Sequence, residues 1–446
     1  MPIIIQMILI SLLAVLIFTF IGYIPGTDET SVLMPITLAL VLTNIQPILI
    51  LTFFISAIVT LNLTNMMPAA LVCLPGGVLS SPTIDYTLQI KQQGKSVELI
   101  KKIAAAATIG VVVSIPLSLL LSQLIIPFAN TIKPYASYLF LAGAIFLALN
   151  SKNKILSLLS ILPLSLLFQA FRSLYWHFNI VPSTTNITTS FFLAITIGPL
   201  VYSLVSLFNP DTKQKLIRDS YKTFIIPKDN SNKLLNPLKI LSKDEIKKTT
   251  LAAVISNFLF VLSPVGLIIL LGESLSKKAS TTNKPFLTVS IMSALAQSTY
   301  LSGIIIPLLA LGIPLSPTAI GPGSPLFEAP PIYTLSNNLH FQLSTNQFIA
   351  AVLVGATIAL TITYFIINRY ASKITYFILK YISHESVLGL FIGFVVLLSY
   401  MDAGIVNVFG VLIISFVSGS LNKLGVNVGV QFMTLYAAPH ILGWLI

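Results

Sequence analysis

Apolar runs long enough to cross a lipid bilayer recur along the whole chain, and they restrict its fold more than any other feature. Hydrophobic residues make up 55% of the sequence and charged residues only 9%, whereas a soluble chain carries about 25% charged residues. Lipid offers no hydrogen-bond partners, so the backbone groups within it must pair with each other, as they do in helices. With roughly 20 residues per crossing, the runs predict an all-α polytopic integral membrane protein of about 12 transmembrane helices.

One stretch interrupts this pattern and indicates a polar site. Residues 62–95 begin as an apolar segment, break at Pro75-Gly76-Gly77, and continue through Ser80-Ser81-Pro82-Thr83 into a basic segment. A membrane helix breaks in this way only where the freed backbone groups find other partners. The stretch therefore predicts a broken or re-entrant element around a small polar site. The alternative is a proline-punctuated loop at a helix end.

Prolines in the two halves of the chain repeat at one fixed offset. Three pairs with similar neighbours are each 239 residues apart: Pro25 with Pro264, Pro68 with Pro307, and Pro75 with Pro314. The offset is close to half the chain, which predicts an internal repeat. We therefore divide the chain into a first membrane repeat at residues 1–209, a basic linker at 210–248 and a second membrane repeat at 249–446.

Lysine and arginine residues indicate how the two halves are oriented. Residues 91–102 are basic, whereas the corresponding residues 330–341 contain no lysine or arginine; conversely, the isolated Lys133 corresponds to the basic run at 369–380. The basic side therefore changes between the halves, which is typical of inverted-topology repeats in transporters. Because basic loops remain on the cytoplasmic side, we expect the linker 210–248 to be cytoplasmic and to contact anionic lipid.

The remaining composition excludes several classes of function. The single cysteine, Cys73, excludes an internal disulfide and a cysteine-based metal cluster, and the four histidines have no ligand spacing. The net charge of +12 does not indicate nucleic acid, because the lysines lie in loops between apolar segments. No cluster of acids, histidines or cysteines suits acid–base catalysis. We therefore expect no metal, no organic cofactor and no enzymatic activity.

Several motifs, taken together, resemble a known membrane transport family. In chain order they are Pro25-Gly26-Thr27, Pro75-Gly76-Gly77, Thr83-Ile84-Asp85-Tyr86, Gln93-Gly94-Lys95, Ile306-Pro307, Leu311-Gly312-Ile313-Pro314 and Gly321-Pro322-Gly323-Ser324-Pro325-Leu326-Phe327. Their order and spacing resemble the large membrane subunit of the tripartite tricarboxylate transporters, the TctA family. Leu315 stands where that family has a glycine, and Gln297 and Ser298 stand where it has two asparagines.

The resemblance implies secondary transport, usually of carboxylates, by a multi-pass protein of the plasma membrane. It also implies two protein partners, which are a small four-helix membrane subunit and an extracytoplasmic binding protein. A small organic anion and the membrane lipids are the other expected partners, whereas self-association stays open.

The helix breaks supply the candidate binding residues. A helix that begins at a break presents free N–H groups and the positive end of its dipole, which suit an anion. Together with the polar residues just before the breaks, this gives the following candidates for substrate binding: Gly26, Thr27, Asn65, Gly76, Gly77, Ser80, Ser81, Thr83, Gln297, Ser298, Pro314, Ser316 and Thr318. The alternative roles are capping for the hydroxyl groups and interhelical hydrogen bonding for the amides.

Acidic residues in an apolar context are costly and suggest a function. Asp28 and Glu29 follow the first break, Asp85 follows the second, and Glu328 lies in the late proline-rich segment. Of these, Asp28 and Asp85 are the candidates for binding a coupling cation, Na⁺ or H⁺. The predicted function is a secondary active transporter that moves a small organic anion of the carboxylate class by alternating access. The alternatives are a polytopic membrane enzyme or flippase acting on a lipid-linked substrate, and a passive channel.

Overall fold

A computed structural model describes most of the chain. The described residues are 2–27, 29–132, 135–149, 151, 153–181, 187–206, 208–209, 236–280, 283–329, 332–334, 336–382 and 384–443. Asp28 and most of the linker 210–248 lie outside these ranges.

The described part of the chain is helical, with two isolated β-bridges and no strand. Its helices are α1 (Ile3–Gly22), α2 (Glu29–Leu42), α3 (Pro47–Thr64), α4 (Met66–Val72), α5 (Ile84–Gln92), α6 (Ser96–Ile125), α7 (Ala129–Ile132), α8 (Ala136–Leu149), α9 (Lys154–His177), α10 (Thr188–Ser206), α11 (Pro237–Ile240), α12 (Lys243–Phe258), α13 (Pro264–Ser276), α14 (Lys284–Ile306), α15 (Pro317–Ile320), α16 (Leu339–Gln342), α17 (Thr345–Tyr381), α18 (His384–Lys423) and α19 (Val428–Gly443). A π-helical turn, Pro307–Leu311, extends α14. The helix α18 is kinked at Ala403 and Gly404.

Seven of the described helical segments are long and apolar enough to span a membrane. They are Ile3–Gly22, Pro47–Val72, Ser96–Thr131, Lys154–His177, Lys284–Leu311, Thr345–Tyr381 and Ala403–Lys423. The shorter apolar helices are Val32–Leu42, Phe140–Leu149, Ser190–Ser206 and Pro264–Ser276. The predicted all-α polytopic membrane fold is confirmed, whereas the number of twelve crossings stays a prediction.

Two helices, α3 and α14, form the centre of the protein. The helix α14 is buried from Pro285 to Ile306, and α3 is buried from Ile48 to Thr64. Both are apolar around most of their circumference, and a helix of this kind belongs in the interior because it has no face that suits water. The helices α1 and α17 surround α3, and α6, α12 and α13 surround α14.

The packing around the two central helices is reciprocal between the halves of the chain. The helix α3 packs against α1 of the first half and α17 of the second, while α14 packs against α12 of the second half and α6 of the first. At the 239-residue offset, the position of α1 corresponds to that of α12, and α6 overlaps α17. Each central helix thus packs against one helix of its own half and one of the other half, as expected for two repeats related by a two-fold axis. The inverted orientation of the second repeat stays a prediction.

Both central helices end in the same backbone conformation. Cys73 and Gly312, again 239 residues apart, have φ angles of +56° and +68°, which lie in the left-handed region. Each residue closes a short helical segment that contains a proline near its start, Pro68 or Pro307. The chain therefore leaves the two central helices at corresponding positions, immediately before the predicted breaks.

Two amide side chains join the central helices to each other. Asn62 donates from Nδ2 to the carbonyl oxygen of Ala296 at 3.0 Å, and Gln297 donates from Nε2 to that of Val59 at 3.0 Å. Interhelical hydrogen bonds of this kind hold packed helices together in an apolar environment. Gln297 therefore has the interhelical role that the sequence left as one of two alternatives.

Candidate functional site

The first two predicted breaks lie against each other. The helix α1 ends shortly before Gly26, whose backbone N–H donates to the carbonyl oxygen of Pro75 at 2.9 Å. Thr27 donates its hydroxyl to the carbonyl oxygen of Ile24 at 2.9 Å, and the carbonyl oxygen of Gly76 lies 3.4 Å from the same hydroxyl. Gly26 has a φ of +81°, a conformation that glycine adopts without strain. The connection between α1 and α2 thus closes onto the chain that follows α4.

A buried carboxylate occupies the space beside these breaks. Glu29, the first residue of α2, is 1% exposed. Asn65 donates from Nδ2 to Glu29 Oε1 at 3.1 Å, and the backbone N–H of Val78 donates to Oε2 at 3.2 Å. A Cβ atom on Gly77 would lie 2.4 Å from Glu29 Oε1 and 2.6 Å from Asn65 Nδ2. The absence of a side chain at position 77 therefore allows the loop to approach this carboxylate.

The groups around Glu29 are those that suit an organic anion. An amide N–H and a backbone N–H of a broken helix are donors that bind carboxylates well. Glu29 also lies in the first turn of α2, where the helix dipole favours negative charge. In this structure these donors bind the protein's own carboxylate, that of Glu29.

The hydroxyl groups after this break stabilise the loop. Ser80 Oγ accepts from the N–H of Gly77 at 3.0 Å and donates to the carbonyl oxygen of the same residue at 2.9 Å. Ser81 also donates to that oxygen at 3.2 Å, and Thr83 donates to the carbonyl oxygen of Ser80 at 2.6 Å. These are hydrogen bonds within the loop, and the side chains of Ser80 and Thr83 do not cap the helices that begin at Ser81 and Ile84. Direct contact between these hydroxyl groups and a substrate stays a prediction.

The hydroxyl groups that follow the second break, those of Ser316 and Thr318, pack against Gly303 of α14. Ser316 Oγ donates to the carbonyl oxygen of Gly303, accepts from the N–H of Ala319 at 3.0 Å and lies 3.0 Å from Thr318 Oγ1. A Cβ atom on Gly303 would lie 2.1 Å from Thr318 Oγ1. Pro314 is buried just before these residues. The glycine therefore allows the chain after Pro314 to fold back onto α14.

The start of α2 connects the two break regions. Its first residue, Glu29, binds the first region through Val78. Its second residue, Thr30, lies beside the second region, because a Cβ atom on Gly321 would be 3.4 Å from Thr30 Oγ1. The same helix packs against the turn Ser324–Leu326. The two break regions therefore meet through α2.

Gln297 and Ser298 are buried on α14 and contact neighbouring helices. Gln297 reaches α3, as described above. Ser298 Oγ lies 2.7 Å from Ser256 Oγ of α12, and Ser114 of α6 donates to the carbonyl oxygen of Ser298 at 3.2 Å. These contacts hold helices together, and a substrate-binding role for either residue stays a prediction.

The predicted coupling residues differ from the acid that the structure places at the breaks. Asp28 lies outside the described residues. Asp85 is exposed in the first turn of α5, and its coupling role stays a prediction. Glu29 is the buried acid, which the sequence indicates as an acid in an apolar context but not as a coupling residue. Its signal in the sequence is a carboxylate that opens a helix directly after a glycine-containing break.

These observations define a class of protein. The described part of the chain has seven helices long enough to span a membrane, two central helices that end at corresponding positions, and buried polar groups at the breaks. These are features of a multi-pass membrane transport protein. The profile described as "Tripartite tricarboxylate transporter TctA family" matches residues 8–432 of the 446-residue chain. The chain belongs to this family, as its motifs indicate, and is a component of a tricarboxylate transporter. Comparison with the curated proteins and with the solved structures gives no match.

Proposed function

We propose that this protein is a secondary active transporter that moves a small organic anion of the carboxylate class across the plasma membrane. It works by alternating access and is driven by a Na⁺ or H⁺ gradient. Membership of a tricarboxylate transporter family supports the substrate class. The broken central helices support the mechanism, because discontinuous helices form the substrate sites of many secondary transporters.

The observation that carries this proposal is the hydrogen-bonded carboxylate of Glu29. Asn65 and Val78 supply two donors at the junction of the break regions. Hydrogen bonds to a charged group contribute about 1.5–3 kcal/mol each, and the same donors suit the carboxylate of a substrate. Substrate binding then requires Glu29 to release them, either by moving or by taking up a cation.

The contacts of α2 support alternating access. Glu29 binds the first break region and Thr30 lies beside Gly321 of the second. A change at Glu29 is therefore passed to the second region by a single helix. A cation bound at Glu29, Asp28 or Asp85 would neutralise a charge that otherwise repels the substrate.

We also propose that the protein works with partner subunits, because its family is described as tripartite. The expected partners are the small four-helix membrane subunit and the extracytoplasmic binding protein. Apolar side chains on α1, including Ile4 and Leu16, each 59% exposed, would contact lipid or the membrane subunit.

Uptake by the purified protein in sealed lipid vesicles tests this function. Labelled carboxylates, including citrate and smaller dicarboxylates, are offered under an inward Na⁺ gradient, an inward H⁺ gradient or neither, with and without the partner proteins. We expect at least one carboxylate to accumulate against its concentration only when a gradient is present. Downhill movement alone would contradict the active mechanism, and no uptake of any carboxylate would contradict the substrate class.

A pair of variants connects this assay to the candidate site. Glu29→Ala should abolish gradient-driven uptake, because it removes the carboxylate that would take up the cation and so link cation binding to release of the anion donors. Glu98→Ala is the matched control, since the side chain of Glu98 is 51% exposed on α6, and it should transport normally. Equal uptake by both variants would show that the site lies elsewhere.

A further inference from the structure

Two buried side chains of opposite charge lie outside the break residues described above. Glu328 is 3% exposed and Arg172 is 6% exposed. Arg172 belongs to α9, which packs against α19. Glu328 lies two residues after the turn Ser324–Leu326. The two residues come from different halves of the chain, and the fold brings them together.

Neutral groups hold the guanidinium of Arg172. Its Nη2 donates to Thr188 Oγ1 of α10 at 2.9 Å, and its Nη1 donates to Gln169 Oε1 at 3.5 Å. Its buried Nε has no hydrogen-bond partner. A hydroxyl and an amide do not balance a positive charge, so the counter-charge is the carboxylate of Glu328, with which the guanidinium interacts electrostatically.

The polar atoms that face this pair are not satisfied. Both carboxylate oxygen atoms of Glu328 are buried without a hydrogen-bond partner. The hydroxyl of Tyr436 on α19 faces this carboxylate and interacts with it, but without a well-formed hydrogen bond. Each buried polar group without a partner costs about 1–3 kcal/mol, and a charged group costs more. Two such groups, a carboxylate and a hydroxyl, facing each other indicate a site that a ligand completes.

We infer that this ligand is a proton, and that Glu328 is the group through which an H⁺ gradient drives transport. This inference deepens the proposed function and rests on it. In one state the carboxylate is ionised and balances Arg172. In the other state one carboxylate oxygen carries a proton taken from water of the open compartment, and the group is neutral. Arg172 then keeps its charge without a counter-charge, so the interior attracts a substrate carboxylate.

The neighbouring charges favour a proton over a metal cation. A metal cation needs several oxygen ligands, and the guanidinium of Arg172 would repel it beside the same carboxylate. A proton binds one oxygen atom of Glu328 and needs no further ligand. Among the described residues, α19 contributes Tyr436 and α10 contributes Thr188, neither of them charged. The helix α2 packs against the turn Ser324–Leu326 and carries Glu29, which is held by its own donors.

The charge balance makes the coupling reciprocal. If a proton on Glu328 raises the affinity for a carboxylate near Arg172, the bound carboxylate must raise the affinity for the proton by the same factor. Proton and anion therefore bind together. Joint binding is the condition for joint transport.

Infrared difference spectroscopy on the full-length protein in lipid vesicles, without any substrate, tests the proton site. A protonated carboxylic acid has a carbonyl band that its ionised form lacks, so a pH titration reports its occupancy. We expect this band in the wild type and its loss in Glu328→Gln. Glu245→Gln is the matched control, because it removes a buried carboxylate that is paired with Lys102 at 2.7 Å, and it should keep the band. An unchanged band in Glu328→Gln overturns the inference.

Tyr436→Phe is a second variant, which keeps the test valid if Glu328→Gln does not fold. It removes only the hydroxyl that faces the carboxylate of Glu328. Because a hydroxyl dipole directed at a carboxylate favours the ionised form, its removal should shift the titration midpoint of the band to higher pH. An unshifted midpoint overturns the assignment of the proton to this site.

Citrate uptake separates this inference from the proposed function. An inward H⁺ gradient should stimulate uptake by the wild type and by Glu245→Gln, and this stimulation should be lost in Glu328→Gln. Stimulation that survives in Glu328→Gln, or uptake driven only by Na⁺, overturns the proton site and leaves carboxylate transport standing. A titrating band that Glu328→Gln removes, with no uptake of citrate, supports the proton site and counts against citrate transport.

Discussion

Gly77→Ala tests whether the approach of the first break to Glu29 matters for transport. The added methyl group would lie 2.4 Å from Glu29 Oε1 and 2.6 Å from Asn65 Nδ2, closer than the 3.0 Å below which a neighbour must shift. These atoms belong to side chains, and that of Glu29 has several rotatable bonds. The substitution should therefore displace the carboxylate and leave the backbone of the loop in place.

The size of the effect follows from the hydrogen bonds that this displacement breaks. Glu29 accepts one from Asn65 and one from Val78, and bonds to a charged group contribute about 1.5–3 kcal/mol each. The loss of a single bond corresponds to a change in an equilibrium constant of roughly 10- to 150-fold. We expect the initial rate of carboxylate uptake to fall by about tenfold or more, while the thermal unfolding midpoint falls by a few degrees.

The assay compares uptake at equal incorporation of the variants into lipid vesicles. Gly389→Ala is the matched control, because a Cβ atom on this glycine of α18 would meet no atom within 4 Å. Equal uptake by Gly77→Ala and the control would refute the reasoning. Loss of folded protein in Gly77→Ala alone would show that the close approach serves folding rather than transport.

Three further predictions concern helix contacts and topology. Asn62→Leu removes an interhelical hydrogen bond and should lower the stability of the folded protein by about 1–3 kcal/mol; an unchanged thermal unfolding midpoint would contradict the interhelical role. Lys102→Met leaves the buried carboxylate of Glu245 without its 2.7 Å ion-pair partner and should cost about 3 kcal/mol, measured in the same way. Ser231→Cys, combined with removal of Cys73, should resist an impermeant thiol reagent in intact cells, because we expect the linker in the cytoplasm; labelling would reject this orientation.

The ends of the two central helices are the part of the fold that the sequence predicts best. Proline and glycine occur where the backbone requires a particular conformation, and corresponding positions of two repeats require the same conformation. The prolines at the 239-residue offset therefore indicate in advance where both central helices end, at Cys73 and Gly312. They also indicate the broken elements around Pro75 and Pro314. The reciprocal packing of α3 and α14 needs the structure, because periodicity does not specify which helices are neighbours.

The arrangement of the charged groups in the interior is the part that the sequence does not predict. Glu29 begins α2, and whether its side chain points inward depends on how α2 is rotated against the first break. Rotation is set by tertiary packing, since successive residues of a helix point in directions about 100° apart. The proximity of Arg172 and Glu328 is even harder to predict from the sequence. They belong to different halves of the chain, and only the assembly of α9, α10 and α19 around the second break brings them together.

The two left-handed residues allow the repeat to be tested at single positions. A residue other than glycine in this conformation costs about 1–3 kcal/mol, so Cys73→Gly should raise the stability by about 1 kcal/mol after the backbone entropy of glycine is subtracted. Gly312→Ala introduces the same strain in the second half. It also places a Cβ atom 2.7 Å from Cδ2 of His340, whose Nδ1 lies 2.9 Å from the carbonyl oxygen of Leu308.

The two substitutions should therefore move stability in opposite directions. The added contact with His340 should make the loss in Gly312→Ala larger than the gain in Cys73→Gly, at roughly 2 kcal/mol or more. Thermal unfolding midpoints of the two variants in the same detergent measure the difference, and Gly389→Ala again serves as the control. A lower midpoint in Cys73→Gly, or an unchanged one in Gly312→Ala, would mean that the two positions do not share a backbone requirement. The two breaks would then not correspond to each other in backbone conformation.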